Sequence, residues 1–98
     1  MAEIRFAWDA AKATANLRKH GVSFEEAQTV FYDDEALLID DPDHSEREER
    51  FILLGLSATP RVLLVVHSYR GNDSIIRLIS GRKANSTERS TYEARKKL

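Results

Sequence analysis

Three runs rich in branched aliphatic residues dominate the second half of the chain: RFILLGL (50–56), RVLLVVHSY (61–69) and SIIRLIS (74–80). SATP and RGND stand between them, turn sequences too short for anything but hairpin connections. Strands joined so tightly run antiparallel, because a parallel return needs a crossover of about a dozen residues or more. The middle run is apolar at both parities over residues 62–66, which predicts a central strand covered on both faces.

The rest of the chain must supply those covers. Residues 4–7 (IRFA) read as a short first strand, and Asp9 stands where the N-cap of a helix belongs. That helix carries a thin apolar stripe of Ala11, Ala15 and Leu17 and is stopped by Gly21, which enters the left-handed region without a Cβ penalty. Ser23 and Glu26 form a capping box for a second helix, with Val22 stapled against Ala27. Phe24, Ala27, Val30 and Phe31 make its core face, and YDDEA its end. Residues 36–40 (ALLID) form another strand. DDPDHSERE is a polar loop whose proline rules out a central strand position. A final helix starts at residue 86, capped by Ser86 or Thr87, and ends in the basic ARKKL. The order β-α-α-β-β-β-β-α predicts an α+β fold with a mostly antiparallel sheet and helices packed on one face. Ninety-eight residues accommodate one domain, 1–98, with a modest core and a surface groove rather than an enclosed chamber.

Composition narrows the chemistry. Cysteine is absent, which excludes disulfides, thiolate nucleophiles and cysteine-ligated zinc. MAEIRFAWDAAK lacks the apolar run of a signal peptide, and no stretch approaches the roughly 18 apolar residues of a membrane span, so the cytoplasm is the expected location. The net charge of −1 hides a strong polarity: residues 1–60 hold 6 basic and 13 acidic side chains (−7), residues 61–98 hold 9 and 3 (+6). Either the halves attract each other in the fold or the C-terminal half meets an anion such as nucleic acid.

Lys19 and His20 precede Gly21 in the last turn of the first helix, where cations complement the helix dipole; capping explains them without chemistry. His44 with Asp40, Asp41 and Asp43 could hold a metal ion, although the glycine-containing spacing of a calcium loop is missing. No GxSxG nucleophile elbow is present. The sharper group is His67, Arg70, Arg77, Arg82 and Lys83, in the last two strands and the turn after them. Between residues 61 and 83 the one acidic side chain is Asp73, so these cations lack local partners and imply an external anion. Across the RGND turn, Arg70 and Arg77 can approach closely enough to hold one phosphate. The competing reading pairs them with the acidic loop.

Taken together, WDAAKATANLRKHGVSFEEAQTVF, DDPDHSEREERFILLG and IIRLISGRKANSTERSTYE resemble the BrnT toxin family from Phe6 to about Tyr92. Trp8, Asp9, Lys12, Asn16, Lys19, His20 and Gly21 match the family's first block; His44, Ser45, Glu48, Glu49, Arg50 and Gly55 match its second. The third block is matched by Arg77, Ser80, Arg82, Lys83, Ala84, Glu88 and Tyr92. Gly81 departs from the alanine usual there. The resemblance implies a RelE-like fold, a ribonuclease that halts translation, and a BrnA-like ribbon-helix-helix antitoxin that represses the shared operon, with operator DNA reached through the antitoxin.

Metal-free RNA cleavage needs a base for the 2′-OH, cations for the phosphorane and an acid for the departing 5′-oxygen. His67, Arg70, Arg77 and Arg82 are the catalytic candidates, with Lys12, Lys19, Arg61 and Lys83 positioning RNA; no metal or cofactor is required. His67 can equally be a packed strand histidine. A non-enzymatic basic module binding nucleic acid or an acidic protein, and a metal-dependent nuclease using the 40–44 cluster, are the alternatives.

Overall fold

The sheet is assembled around the apolar middle run. In the computed structural model, which describes residues 4–41 and 49–96, β1 (Arg5–Ala7), β2 (Leu37–Asp40), β3 (Phe51–Leu56), β4 (Val62–Arg70) and β5 (Ile75–Lys83) lie in the order β1-β5-β4-β3-β2. β4 is therefore central. β2, β3, β4 and β5 pair antiparallel, and β1 lies parallel to the start of β5.

Alternation along β4 divides the core in two. Leu63 and Val65 join Leu53, Ile76 and Leu78 under Val22, Phe24, Ala27 and Val30. Val62 and Leu64 join Leu54 under Ala84 and Tyr92. The first face is covered by α1 (Ala10–His20) and α2 (Phe24–Thr29), the second by α3 (Ser86–Lys96). The expectation of helices on a single face thus holds for two of the three. Tyr92 decides the third, because its buried ring needs the even-numbered side of β4. It anchors there by donating from its hydroxyl to Asp33 Oδ2 at 2.6 Å.

Caps fix the helices. Asp9 accepts from the N–H groups of Ala11 and Lys12, and Gly21 closes α1 at φ 70° with its N–H on the Leu17 carbonyl. Ser23 accepts from Glu26 N, so half of the capping box forms; the Glu26 carboxylate turns to Arg61 instead of back to the cap. α2 passes into a short 3-10 turn, Val30–Tyr32. For α3 the cap is Asn85, not Ser86 or Thr87: its side chain accepts from Glu88 N at 2.8 Å while Glu88 accepts from Asn85 N at 2.9 Å, a complete capping box.

The expected stripe of Ala11, Ala15 and Leu17 faces outward, with Leu17 51% exposed. The side that α1 buries is that of Asn16. β1 covers only the first three residues of β5, leaving the outer edge of the strand open further along. The Asn16 amide fills that place: Nδ2 donates to the Gly81 and Val22 carbonyls at 2.8 and 2.9 Å, and Gly81 N donates to Oδ1 at 3.1 Å. A side-chain amide thus replaces one rung of a missing strand. Gly81 faces Ala27 and Val22 closely enough that an added Cβ would lie 3.3 Å from Ala27 Cβ.

Candidate nucleic-acid interface

Where the arginines point depends on one irregularity. Val66 pairs with Ser80 but His67 pairs with Leu78, so Ile79 is an extra residue and β5 is bulged. In a regular strand Arg77 and Arg82, five apart, would face opposite ways. The bulge restores them to one face: Arg82 opposes Leu64 and Arg77 opposes Ser68, both on the even-numbered side of β4. Arg70, opposite Ile75, shares that side and is a diagonal neighbour of Arg77, roughly 7–8 Å away at the backbone. β5 also runs further than expected, so Arg82 and Lys83 are strand residues rather than turn residues.

The candidate cations divide between the two layers. Lys83 opposes Leu63 and lies on the α1–α2 side with Arg61, while Lys12 and Lys19 are exposed on α1 itself. Arg70, Arg77 and Arg82 occupy the opposite face. One continuous basic groove is not formed by the described residues.

Two of the cations have internal carboxylate partners, correcting the expectation of unpaired charge. Arg61 donates from Nε to Glu26 Oε2 at 2.7 Å and from Nη2 to Glu26 Oε1 at 2.6 Å, and Nη2 also reaches the Gly21 carbonyl at 2.9 Å. With Arg61 foremost, and the Thr59 and Ser57 hydroxyls adding to it against the opposing effect of burial, Glu26 is held at about 2. The N-terminal half thus supplies an acid that the C-terminal half lacks, and Arg61 locks the start of β4 to the junction of α1 and α2. Arg82 forks onto both oxygens of Glu88 at 2.9 Å, and that hydrogen bond lowers the Glu88 pKa. Among the described residues Arg77 has neither an ion pair nor a hydrogen bond of its side chain.

His67 lies on the other side of β4, fully buried among Phe31, Phe51 and Tyr69. Nδ1 is 3.3 Å from the Val65 carbonyl and Nε2 is 3.2 Å from the Tyr69 hydroxyl. A carbonyl can only accept, so the proton belongs on Nδ1 and Nε2 accepts from Tyr69. Burial pushes the imidazole down to about 4, the Val65 contact opposing it, which leaves the ring neutral at pH 7. With no surface of its own, His67 can reach a substrate only through Tyr69. The Tyr69 phenol is raised, first by burial and then by Asp73.

Tyr69 opens into a groove of about 840 Å³ at the end of β3 and β4, lined among the described residues by Leu38, Glu49, Phe51, Ser68, Tyr69, Arg70 and Asp73. Phe51 and Tyr69 stack at a tilt with centroids 5.3 Å apart, giving the floor an aromatic surface. Tyr69 was not among the sequence candidates. Its signal was the His-Ser-Tyr alternation, which puts residues 67 and 69 on one side of a strand. No three histidine or carboxylate side chains gather as a metal-binding group among the described residues; Asp43, His44 and Ser45 lie outside them. No helix among the described residues is long and apolar enough to cross a membrane.

These features define a class: a small α+β protein with arginines along one face of its fifth strand and an open aromatic groove beside them; its fold resembles that in the crystal structure of the Brucella abortus ribonuclease toxin BrnT. The two superpose with a TM-score of 0.65 over 86% of this chain and 100% of that one, at 21% identity, a likeness of fold. Comparison with curated proteins gives no match. The model of a family described as the ribonuclease toxin, BrnT, of type II toxin-antitoxin systems matches residues 8–88, and the chain belongs to that family. It is accordingly an endoribonuclease toxin, with RNA as its target and an antitoxin as its partner.

Proposed function

We propose that the chain cleaves RNA without a metal ion in the groove beside Tyr69 and Arg70, and that this cleavage arrests translation in the cytoplasm. The observation that carries the reading is the conjunction, at one end of the sheet, of an aromatic floor, a histidine-bound phenol and arginines on the adjoining face. A single-stranded nucleotide stacks its base on Phe51 and Tyr69. The 2′-oxygen attacks the adjacent phosphorus, its proton leaves to a base, and the 5′-oxygen departs with a proton, giving a cyclic phosphate and a free 5′-hydroxyl. Arg70 and Arg77 act on the charge that develops on the phosphorane. Tyr69 donates its O–H hydrogen bond to His67 Nε2, so its oxygen can accept a hydrogen bond from the 2′-OH and orient it, while solvent water in the open groove takes up the 2′ proton and supplies one to the departing 5′-oxygen. His67 is then a positioning residue. Lys12, Lys19 and Lys83 support flanking RNA from the helix side, whereas Arg61 and Arg82 serve chiefly to hold α2 and α3. The antitoxin is a ribbon-helix-helix protein, and the toxin meets operator DNA through it.

Labelled RNA incubated with the purified protein in EDTA tests this. Shortened RNA is expected, with Tyr69→Phe and Arg77→Ala slowed by about 10²-fold to 10³-fold while melting close to the parent. Cleavage abolished by EDTA would reject the metal-free mechanism. RNA retarded but never shortened would reject catalysis altogether.

A further inference from the structure

The two edges of the sheet are protected very differently. β1, at one end, has three residues and carries Arg5, and the Asn16 amide takes its place further along β5. β2, at the other end, pairs with β3 and with no other strand among the described residues. Edge strands are ordinarily blunted by lysine, proline or a bulge, because their free backbone groups invite another chain. β2 (LLID) has none of these: its register with β3 is regular, and Leu38 and Ile39 are 52% and 41% exposed.

The ladder shows which backbone groups face outward. Asp41 N donates to the Arg50 carbonyl, which makes 41–50 a hydrogen-bonded rung. In an antiparallel pair such rungs alternate with rungs whose N–H and C=O groups point away from the partner strand. Ile39–Ile52 and Leu37–Leu54 are therefore bonded inward, while Leu38 and Asp40 direct their N–H and C=O groups off the edge. The side chains alternate too. Leu38 lies on the side of Phe51, where it walls the open groove, and Ile39 stands beside Ile52 on the α3 side.

Charge decides what can occupy this edge. Asp34 and Glu35 precede β2 and Asp40 ends it, all exposed, and residues 20–46 contain no lysine or arginine. RNA, an anion, is repelled here. A second copy is disfavoured as well, since antiparallel pairing of two β2 edges would bring Asp34 and Glu35 of one towards Asp40 of the other. What fits is an extended polypeptide segment, apolar in the middle and cationic at its ends. The protein partner of this family of toxins is an antitoxin.

We propose that the antitoxin binds by adding a strand to β2. A segment of apolar residues flanked by lysine or arginine pairs with the outward N–H and C=O groups of Leu38 and Asp40, and its side chains on the Leu38 side close the mouth of the groove against RNA. How binding inhibits rests on the groove being the place of cleavage; where the antitoxin binds does not.

Amide hydrogen exchange, read residue by residue by NMR, compares the toxin alone with the toxin saturated by the antitoxin of its own operon, beside affinities, thermal melts and cleavage of labelled RNA. The Leu38 and Asp40 amides should exchange freely in the toxin alone and at least about 10²-fold more slowly in the complex, as new backbone bonds require. Asp40→Pro removes an outward N–H at a position where an edge strand tolerates proline, so it should melt close to the parent and bind the antitoxin at least about tenfold more weakly. Asp40→Lys keeps that N–H and reverses the charge; its affinity should fall and depend less on salt. Unchanged exchange at both amides in the saturated complex overturns the proposal, whether or not Asp40→Pro folds. Parent affinity in a folded Asp40→Pro overturns it too. Slowed exchange at both amides in a complex that still cuts RNA upholds the strand addition and rejects the groove as the place of cleavage.

Discussion

Asn16→Ala is the substitution that most directly tests how the first helix is tied to the sheet. Asn16 is 7% exposed and makes three hydrogen bonds, two to Gly81 and one to Val22. Truncation removes them together and leaves one N–H and two carbonyls facing a small apolar void. An orphaned buried group costs about 1–3 kcal/mol, and entry of water at the strand edge recovers part of it, so a net loss of about 2–4 kcal/mol is expected. For a chain of this size each kcal/mol lowers the melting temperature by about 4–8 °C, which places the variant roughly 10–25 °C below the parent. Circular dichroism melts at pH 7 give the number, and hydrogen exchange at the Gly81 amide locates it, because that N–H loses its acceptor. Asn16→Asp should fall further at the same pH, since it keeps acceptors where two carbonyls need donors. A melt within about 3 °C of the parent, with Gly81 still protected, would show that the side chain is not the missing rung and that apolar packing alone holds α1.

Three further substitutions probe other parts of the molecule. Folded His67 titrates near 4 against about 6.5 in the unfolded chain, so below 6.5 the unfolded state binds the extra proton; stability should decline by about 3 kcal/mol as pH falls from 6.5 through 4. Chemical denaturation of parent and His67→Phe across that window should show this slope in the parent only. Gly55→Ala should destabilise by about 1–3 kcal/mol in thermal melts, because the new Cβ would stand 2.8 Å from Ala36 Cβ and 2.9 Å from Val30 Cγ1. Arg82→Ala should cost less than about 1 kcal/mol, its pair with Glu88 being partly exposed, and should keep cleavage within several-fold of the parent; equal loss in Arg82→Ala and Arg77→Ala would show that Arg82 serves the phosphate as well as α3.

Much of the architecture was legible because it rests on local rules. Asp9, Ser23 and Gly21 mark helix ends through bonds that span only a few residues, and SATP and RGND force neighbouring strands into hairpins. The apolar run over residues 62–66 identified the central strand because only a doubly covered strand needs apolar residues at both parities. Family membership was also readable, since the three matched blocks stand in order along the chain. Asn16 escaped because a polar residue in a helix looks solvent-facing until a strand edge is placed beside it. Arg61 and Arg82 looked unpaired because Glu26 lies 35 positions away from the first, and Glu88 belongs to a helix whose packing was not known.

The sequence by itself determined the elements, their order, the antiparallel core and the family to which the chain belongs, all consequences of periodicity, turn chemistry and motif order. Tertiary structure alone decided which charges are neutralised and which face outward. A one-residue bulge at Ile79 sets the face on which Arg77 and Arg82 stand, and the burial of Tyr92 sends α3 across the sheet. Neither leaves a local sequence signature, because both depend on contacts between segments far apart in the chain.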